Sequence, residues 1–228
     1  MLRLPALYPI LDFATEPARA EMAAAGTLAR DLCAAGATTM QLRCKVAGGR
    51  AMLHLARDLV SMLEPLGGQL IVNDRLDLAL LAGAAGVHLG QDDLPLRSAR
   101  AIAPPGFLIG LSTHDPDEAA RAEAEGADYI GFGPMAATGS KSNALAAPRS
   151  LAQLAATRTR VKIPIVAIGG IDLPRVPEIL DAGADAVAMI GALARADDPP
   201  ALVRAVLALR PRSRRTPRAS SPLRPHRG

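Results

Sequence analysis

Ala182-Gly183-Ala184-Asp185-Ala186-Val187-Ala188-Met189-Ile190 joins the end of a helical stretch to a short apolar strand through one glycine. Glycine adopts the left-handed conformation that closes a helix without steric cost, so the segment reads as an α-to-β junction. The same arrangement stands at Gly36 before residues 38–43, at Gly83 before 86–89 and at Gly126 before 129–132. Four further apolar runs, 4–11, 69–73, 107–112 and 163–168, have strand length and fit between these junctions. Helical stretches separate them near 17–35, 50–64, 75–82, 95–103, 115–124, 149–157, 173–182 and 198–209. Eight strands alternating with eight helices predict an α/β fold, a single (β/α)8 or TIM barrel over residues 1–210. An open doubly wound sheet is the alternative, but no Gly-x-Gly-x-x-Gly turn follows the first strand.

Composition agrees with one such domain. Half of the 228 residues are hydrophobic, yet aromatics are only 2% and Trp is absent, so the core must be built from Ala, Val, Leu and Ile. That suits helices packed on β-branched strands better than an all-β sandwich. The net charge of +4 is a local effect. Residues 211–228 hold six arginines and no acid; setting those six aside leaves 20 of the 26 Lys and Arg against 22 acids. The barrel itself is therefore mildly acidic, and nucleic acid is not an expected partner. The Pro, Ser and Arg-rich stretch 211–228 reads as a disordered basic tail. Two cysteines, Cys33 and Cys44, are too few for a disulfide framework or a zinc cluster, and read as reduced thiols of a cytoplasmic protein. The first apolar run is short and ends at Asp12, matching neither a signal peptide nor a membrane span.

In a barrel, the active site lies at the C-terminal ends of the strands. In the second strand, alternation puts Gln41, Arg43 and Lys45 on one face and Met40, Leu42 and Cys44 on the other. Two inward cations are costly unless an anion neutralises them, and pyrophosphate is the expected one. The third strand ends Asn73-Asp74-Arg75 and the fourth His88-Leu89-Gly90-Gln91-Asp92-Asp93. Asn73 and Asp74 alone could cap the next helix. With a second acidic cluster at the neighbouring strand end, they suit Mg²⁺ shared with phosphate oxygens. His88, between the two acid pairs, reads as a site residue, although a buried structural histidine is the plainer alternative. Ser112 and Thr113 at the fifth strand end could cap the helix that starts near Pro116. After the sixth strand, residues 135–141 form a small-residue loop with Thr138, Ser140 and Lys141, suited to an anion. Gly169-Gly170 after the seventh strand and Gly191 after the eighth bring bare backbone to the usual phosphate site of such barrels. A metal-pyrophosphate site facing a phosphomonoester site argues for two small-molecule substrates joined with loss of pyrophosphate. His54, His226 and Cys33 read as helix surface, tail and small core hydrophobe.

The chain resembles thiamine phosphate synthases over nearly all of residues 4–209. The resemblance rests on Gln41-Leu42-Arg43-x-Lys45, Val72-Asn73-Asp74-Arg75, Val87-His88-Leu89-Gly90-Gln91-Asp92-Asp93 and Gly110-x-Ser112-x-His114. Gly131-x-Gly133-Pro134, Ile168-Gly169-Gly170-Ile171 and Gly183-Ala184-Asp185 complete the ordered set. It implies condensation of hydroxymethylpyrimidine pyrophosphate with hydroxyethylthiazole phosphate through a pyrimidine methyl cation. It further implies that Gln41, Arg43, Lys45, Asn73 and Lys141 hold pyrophosphate and that Asp74 and Asp93 hold Mg²⁺. His88 and Ser112 would contact the pyrimidine, and Thr138, Ser140, Gly170, Ile190 and Gly191 would lie near the thiazole phosphate. Arg43, Lys45, Ser112 and Lys141 would carry the catalysis, which is mostly electrostatic. Three positions depart from the family pattern: Cys44 stands for an acid, the 136–140 loop lacks an aromatic-Pro pair and has Ser for a Thr, and Gly191 stands for a Ser. Two rival readings remain: a metal-independent thiazole tautomerase with His114 as its acid-base group, and a non-catalytic module that binds a phosphate ligand.

Overall fold

Strands and helices alternate around a closed ring in the computed structural model, which describes residues 2, 4–13, 18–45, 48–137 and 147–209. The strands are β1 (Leu7–Phe13), β2 (Thr39–Cys44), β3 (Gln69–Asn73), β4 (Gly86–Leu89), β5 (Leu108–Thr113), β6 (Tyr129–Phe132), β7 (Ile165–Ala167) and β8 (Ala186–Met189). Each lies parallel to its successor, and β8 returns to pair with β1, so the sheet has no edge. That closure excludes the open doubly wound sheet. Around the ring lie α1 (Arg19–Ala34), α2 (Gly49–Leu63), α3 (Leu76–Ala82), α4 (Leu96–Ile102), α5 (Pro116–Ala124), α6 (Leu151–Arg160), α7 (Val176–Asp181), α8 (Gly191–Ala194) and α9 (Pro199–Ala208). The expected tail, 211–228, lies outside the described residues. Among the described residues, no helix is long and apolar enough to cross a membrane.

The four glycine junctions behave as their sequence context predicts. Gly36, Gly83, Gly126 and Gly183 have φ of 111°, 70°, 95° and 114°, the region open to glycine. Strand alternation then sorts the side chains into two layers. Leu7, Leu42, Val72, Val87, Ile109, Ile130, Ile165 and Val187 point outward into the main core beneath the helices. Helix α2 answers with Met52, Leu55, Ala56, Leu59 and Leu63, an i, i+3/i+4 stripe that is wholly buried. Tyr8, Ile10, Ile71, Leu108, Tyr129, Val166, Ala186 and Ala188 point inward and fill the barrel.

At the N-terminal face, two aspartates lock neighbouring strands. Asp128 Oδ2 accepts from Ile109 N–H at 2.7 Å and pairs with Arg100. Asp185 Oδ2 accepts from Ile165 N–H at 2.9 Å and pairs with Arg158 at 2.9 Å. Arg158 in turn donates to the Ile163 carbonyl at 2.9 Å, so one carboxylate organises the start of β7. Asp185→Ala strands a backbone N–H and a half-buried guanidinium, and is expected to cost about 2–3 kcal/mol in urea unfolding. Turnover per folded molecule should stay at the parent value, since this face is remote from the C-terminal ends of the strands.

Candidate active site

The C-terminal ends of the strands surround a cleft of about 590 Å³. Arg43 and Lys45 enter it from β2, Asn73 and Asp74 from β3, Asp93 from the loop after β4 and Ser112 from β5. Gly169 and Gly170 after β7, with Ile190 and Gly191 after β8, line its other end. In an eight-stranded ring, β3 stands opposite β7 and β4 opposite β8. The acids and the glycine turns therefore face one another across the cleft. Gln41 and His88 sit lower, lining a narrow cavity that continues into the barrel. Thr138, Ser140 and Lys141 lie outside the described residues.

Charges converge where β2, β3 and β4 end. Lys45 Nζ is 3.8 Å from Asp74 Oδ2. Asp93 faces Asp74 at the same end of the cleft. Burial and the facing Asp93, against the pull of Lys45 and Arg43, push the Asp74 carboxyl up to about 6. Asp74 also holds φ at 63°, a left-handed conformation costly for a side chain other than glycine. Asp93 is set by its turn, where Oδ2 accepts from Gly90 N–H at 2.6 Å. Two hard oxygen donors forced together beside a cation-lined cleft fit Mg²⁺, which needs only one or two carboxylates when substrate phosphates and water complete its shell. Among the described residues, no group of three or more His, Cys, Asp or Glu gathers as a full protein cage.

Arg43 differs from its sequence-based expectation. The strand expected to end at Leu11 continues to Phe13, and Asp12 lies directly across from Arg43 in the β1–β2 register. Asp12 Oδ1 accepts from Arg43 Nη1 at 2.5 Å, with only 9% of the arginine side chain exposed. The neutralising anion that sequence reasoning assigned to a ligand is thus supplied, for Arg43, by the protein itself. Lys45 is 53% exposed and remains accessible from the cleft.

Beneath the cleft runs a hydrogen-bonded chain that sequence reasoning missed. Gln41 Nε2 donates to Tyr8 Oη at 3.3 Å, and Tyr8 Oη lies 2.9 Å from Tyr129 Oη. Tyr129 Oη is 3.1 Å from His88 Nδ1, and His88 Nε2 is 3.0 Å from Ser112 Oγ. Burial raises both phenols well above their ordinary value, so each keeps its proton. One polarity satisfies the whole chain: Gln41 to Tyr8, Tyr8 to Tyr129, Tyr129 to His88 Nδ1, then His88 Nε2–H to Ser112. In that polarity Ser112 accepts from His88 and keeps its own hydrogen to donate. Gly110 makes room for this packing, because a Cβ there would come within 2.2 Å of Tyr129 Cζ and 2.6 Å of His88 Nδ1. The available signal was that the chain has only two tyrosines, both at inward positions of strands.

The capping alternatives resolve locally. Helix α5 is capped by Asp115, whose carboxylate accepts from the N–H groups of Asp117 and Glu118 at 2.9 and 2.8 Å. Ser112 is therefore not the cap, and Thr113 Oγ1 donates across to the Gly131 carbonyl of β6 at 3.0 Å. Helix α3 has Arg75 at its N-cap and no side-chain cap hydrogen bond, so Asn73 and Asp74 are not spent on that role either. His114 is tied by Nδ1 to Glu118 at 2.9 Å.

A model of the family described as thiamine monophosphate synthase matches residues 7–193, the span from the start of β1 into α8. The chain belongs to that family. Among its relatives, the thiamine-phosphate synthase of Methanocella arvoryzae is 47% identical over 182 residues, covering 80% of this chain and 85% of that protein. The thiamine-phosphate synthase of Methanoculleus marisnigri is 48% identical over 179 residues, with 78% and 84% covered. The solved thiamine phosphate pyrophosphorylase of Pyrococcus furiosus superposes with a TM-score of 0.76 at 33% identity, covering 89% of this chain and 94% of that one. A 3-hexulose-6-phosphate synthase superposes with a TM-score of 0.65 at 18% identity, a likeness of fold alone. Neither the tautomerase nor the non-catalytic reading draws support from these family relations.

Proposed function

We propose that the cleft carries out thiamine phosphate synthesis, joining hydroxymethylpyrimidine pyrophosphate to hydroxyethylthiazole phosphate and releasing pyrophosphate. The observation that carries the reading is the meeting of Lys45, Asp74 and Asp93 at one end of the cleft, opposite the Gly169-Gly170 and Gly191 turns, in a chain of this family. In this reading the bond between the pyrimidine methylene and the pyrophosphate oxygen breaks, and its electrons leave with pyrophosphate. The thiazole nitrogen then takes the methylene. Lys45, Asn73 and the Arg43 N–H groups not taken by Asp12 bind the departing diphosphate, with Lys141 as a further cation. Asp74 and Asp93 would hold Mg²⁺, which when bound supplies charge stabilisation to the leaving oxygens. Gln41, through Tyr8 and Tyr129, orients His88, and His88 orients Ser112 toward the pyrimidine. Thr138, Ser140, Gly170, Ile190 and Gly191 take the thiazole phosphate end. The residues thus bind, align and compensate charge, with no general base demanded of the protein.

A cytoplasmic place for the enzyme belongs to the same proposal and rests on Cys33 and Cys44, two cysteines not joined in a disulfide. So does a catalytic unit that ends near residue 210. Purified protein given Mg²⁺ and both substrates is expected to release one pyrophosphate per thiamine phosphate formed, and chelation should stop both. A chain cut after Arg210 should turn over at the same rate. Binding of both substrates without pyrophosphate release would reject the synthase reading.

A further inference from the structure

Arg195 follows the short helix α8 and lines the cleft at its β7–β8 end. Its guanidinium folds back over Gly191, one helical turn earlier: a Cβ at Gly191 would come 2.7 Å from Nη1 and 3.5 Å from Cζ. Side chains on a helix lean toward its N-terminus, so a residue four positions on covers the turn before it. Among the described residues, the Arg195 side chain makes no hydrogen bond or ion pair, whereas the cations at the other end of the cleft are engaged. Arg43 is held by Asp12, and Lys45 stands near Asp74. Arg195 is also the one lysine or arginine among the described residues that lines the cleft near Gly169, Gly170 and Gly191. A phosphomonoester carries nearly two negative charges at neutral pH, which backbone N–H groups alone balance poorly. A guanidinium answers such a dianion with a planar fork of donors.

We propose that Arg195 binds the phosphate of the thiazole substrate, and that the missing side chain at Gly191 is what lets its guanidinium reach the cleft. The inference rests on the synthase reading above and adds to it a specificity residue: Arg195 separates the phosphorylated thiazole from its free alcohol. Gly191 and Arg195 act as one unit, since any side chain at 191 competes for the same space.

Equilibrium binding of hydroxyethylthiazole phosphate and of the unphosphorylated alcohol to the purified full chain, together with steady-state kinetics, tests this in wild type, Arg195→Ala, Arg195→Lys, Gly191→Ser and the Gly191→Ser, Arg195→Ala double variant. Arg195→Ala is expected to weaken thiazole phosphate binding about 10- to 100-fold, the scale of a charge-assisted hydrogen bond. Binding of the alcohol and the KM for pyrimidine pyrophosphate should move by less than about threefold. Arg195→Lys should fall between Ala and wild type. Gly191→Ser should weaken phosphate binding in the wild-type background by displacing the guanidinium, and add no loss in the Arg195→Ala background. Wild-type affinity for thiazole phosphate retained in Arg195→Ala overturns the proposal, as does a loss shared equally by the alcohol or falling on the pyrimidine pyrophosphate. Wild-type protein that binds neither form of the thiazole overturns the synthase reading together with the proposal, a different result from binding that Arg195→Ala leaves intact.

Discussion

Asp93→Ala is expected to raise the Mg²⁺ concentration needed for half-maximal pyrophosphate release by about 100-fold, because it removes one of only two protein carboxylates available to a hard cation there. Asp93 has a second task that must be separated from the first, since its Oδ2 also accepts from Gly90 N–H at 2.6 Å. Asp93→Asn keeps an oxygen for that N–H while discarding the charge. If the carboxylate acts through the metal, Asn and Ala share the same Mg²⁺ defect, and Asn alone retains the parent melting temperature. A Mg²⁺ titration that returns to the wild-type midpoint in Asp93→Asn would assign the effect to the turn and remove Asp93 from the metal site.

The largest stability loss is expected at Asp12. Asp12→Ala leaves the Arg43 guanidinium, with 9% of its side chain exposed, without its counter-ion, which costs about 3–5 kcal/mol for a buried pair broken on one side. Replacing both partners with apolar residues of similar shape should recover most of that loss, because the penalty comes from the stranded charge rather than from a lost attraction. The double variant Asp12→Leu, Arg43→Met would then fold well and turn over poorly. Urea unfolding of the single and double variants measures this directly. A single-variant loss under about 1 kcal/mol would mean that water reaches Arg43 freely.

Much of the architecture was readable in one dimension. Gly36, Gly83, Gly126 and Gly183 announce helix ends because a positive φ is a local backbone property, and all four adopt it. Strands 69–73, 86–89 and 129–132 keep the bounds expected from the sequence. The inward set Gln41 and Arg43 followed from period-two alternation. Asp12 was misjudged because a carboxylate after an apolar run looks like a strand end when no partner is in view. Its partner stands 31 residues away and meets it only through the β1–β2 register.

Local chemistry in the chain, helix-ending glycines and alternating apolar strands, determined the barrel and the polar residues at the mouths of its strands. Tertiary closure alone decided which of those groups touch: Tyr8 and Tyr129, 121 residues apart, bond inside the ring and carry Gln41 to His88 and Ser112. It also set Asp74 against Asp93 and folded Arg195 back over Gly191 at the far end of the cleft. The physical reason is range. Backbone conformation and alternation are settled within a few residues, whereas the pairing of charges and hydroxyls depends on strand register and ring closure, which no short segment contains.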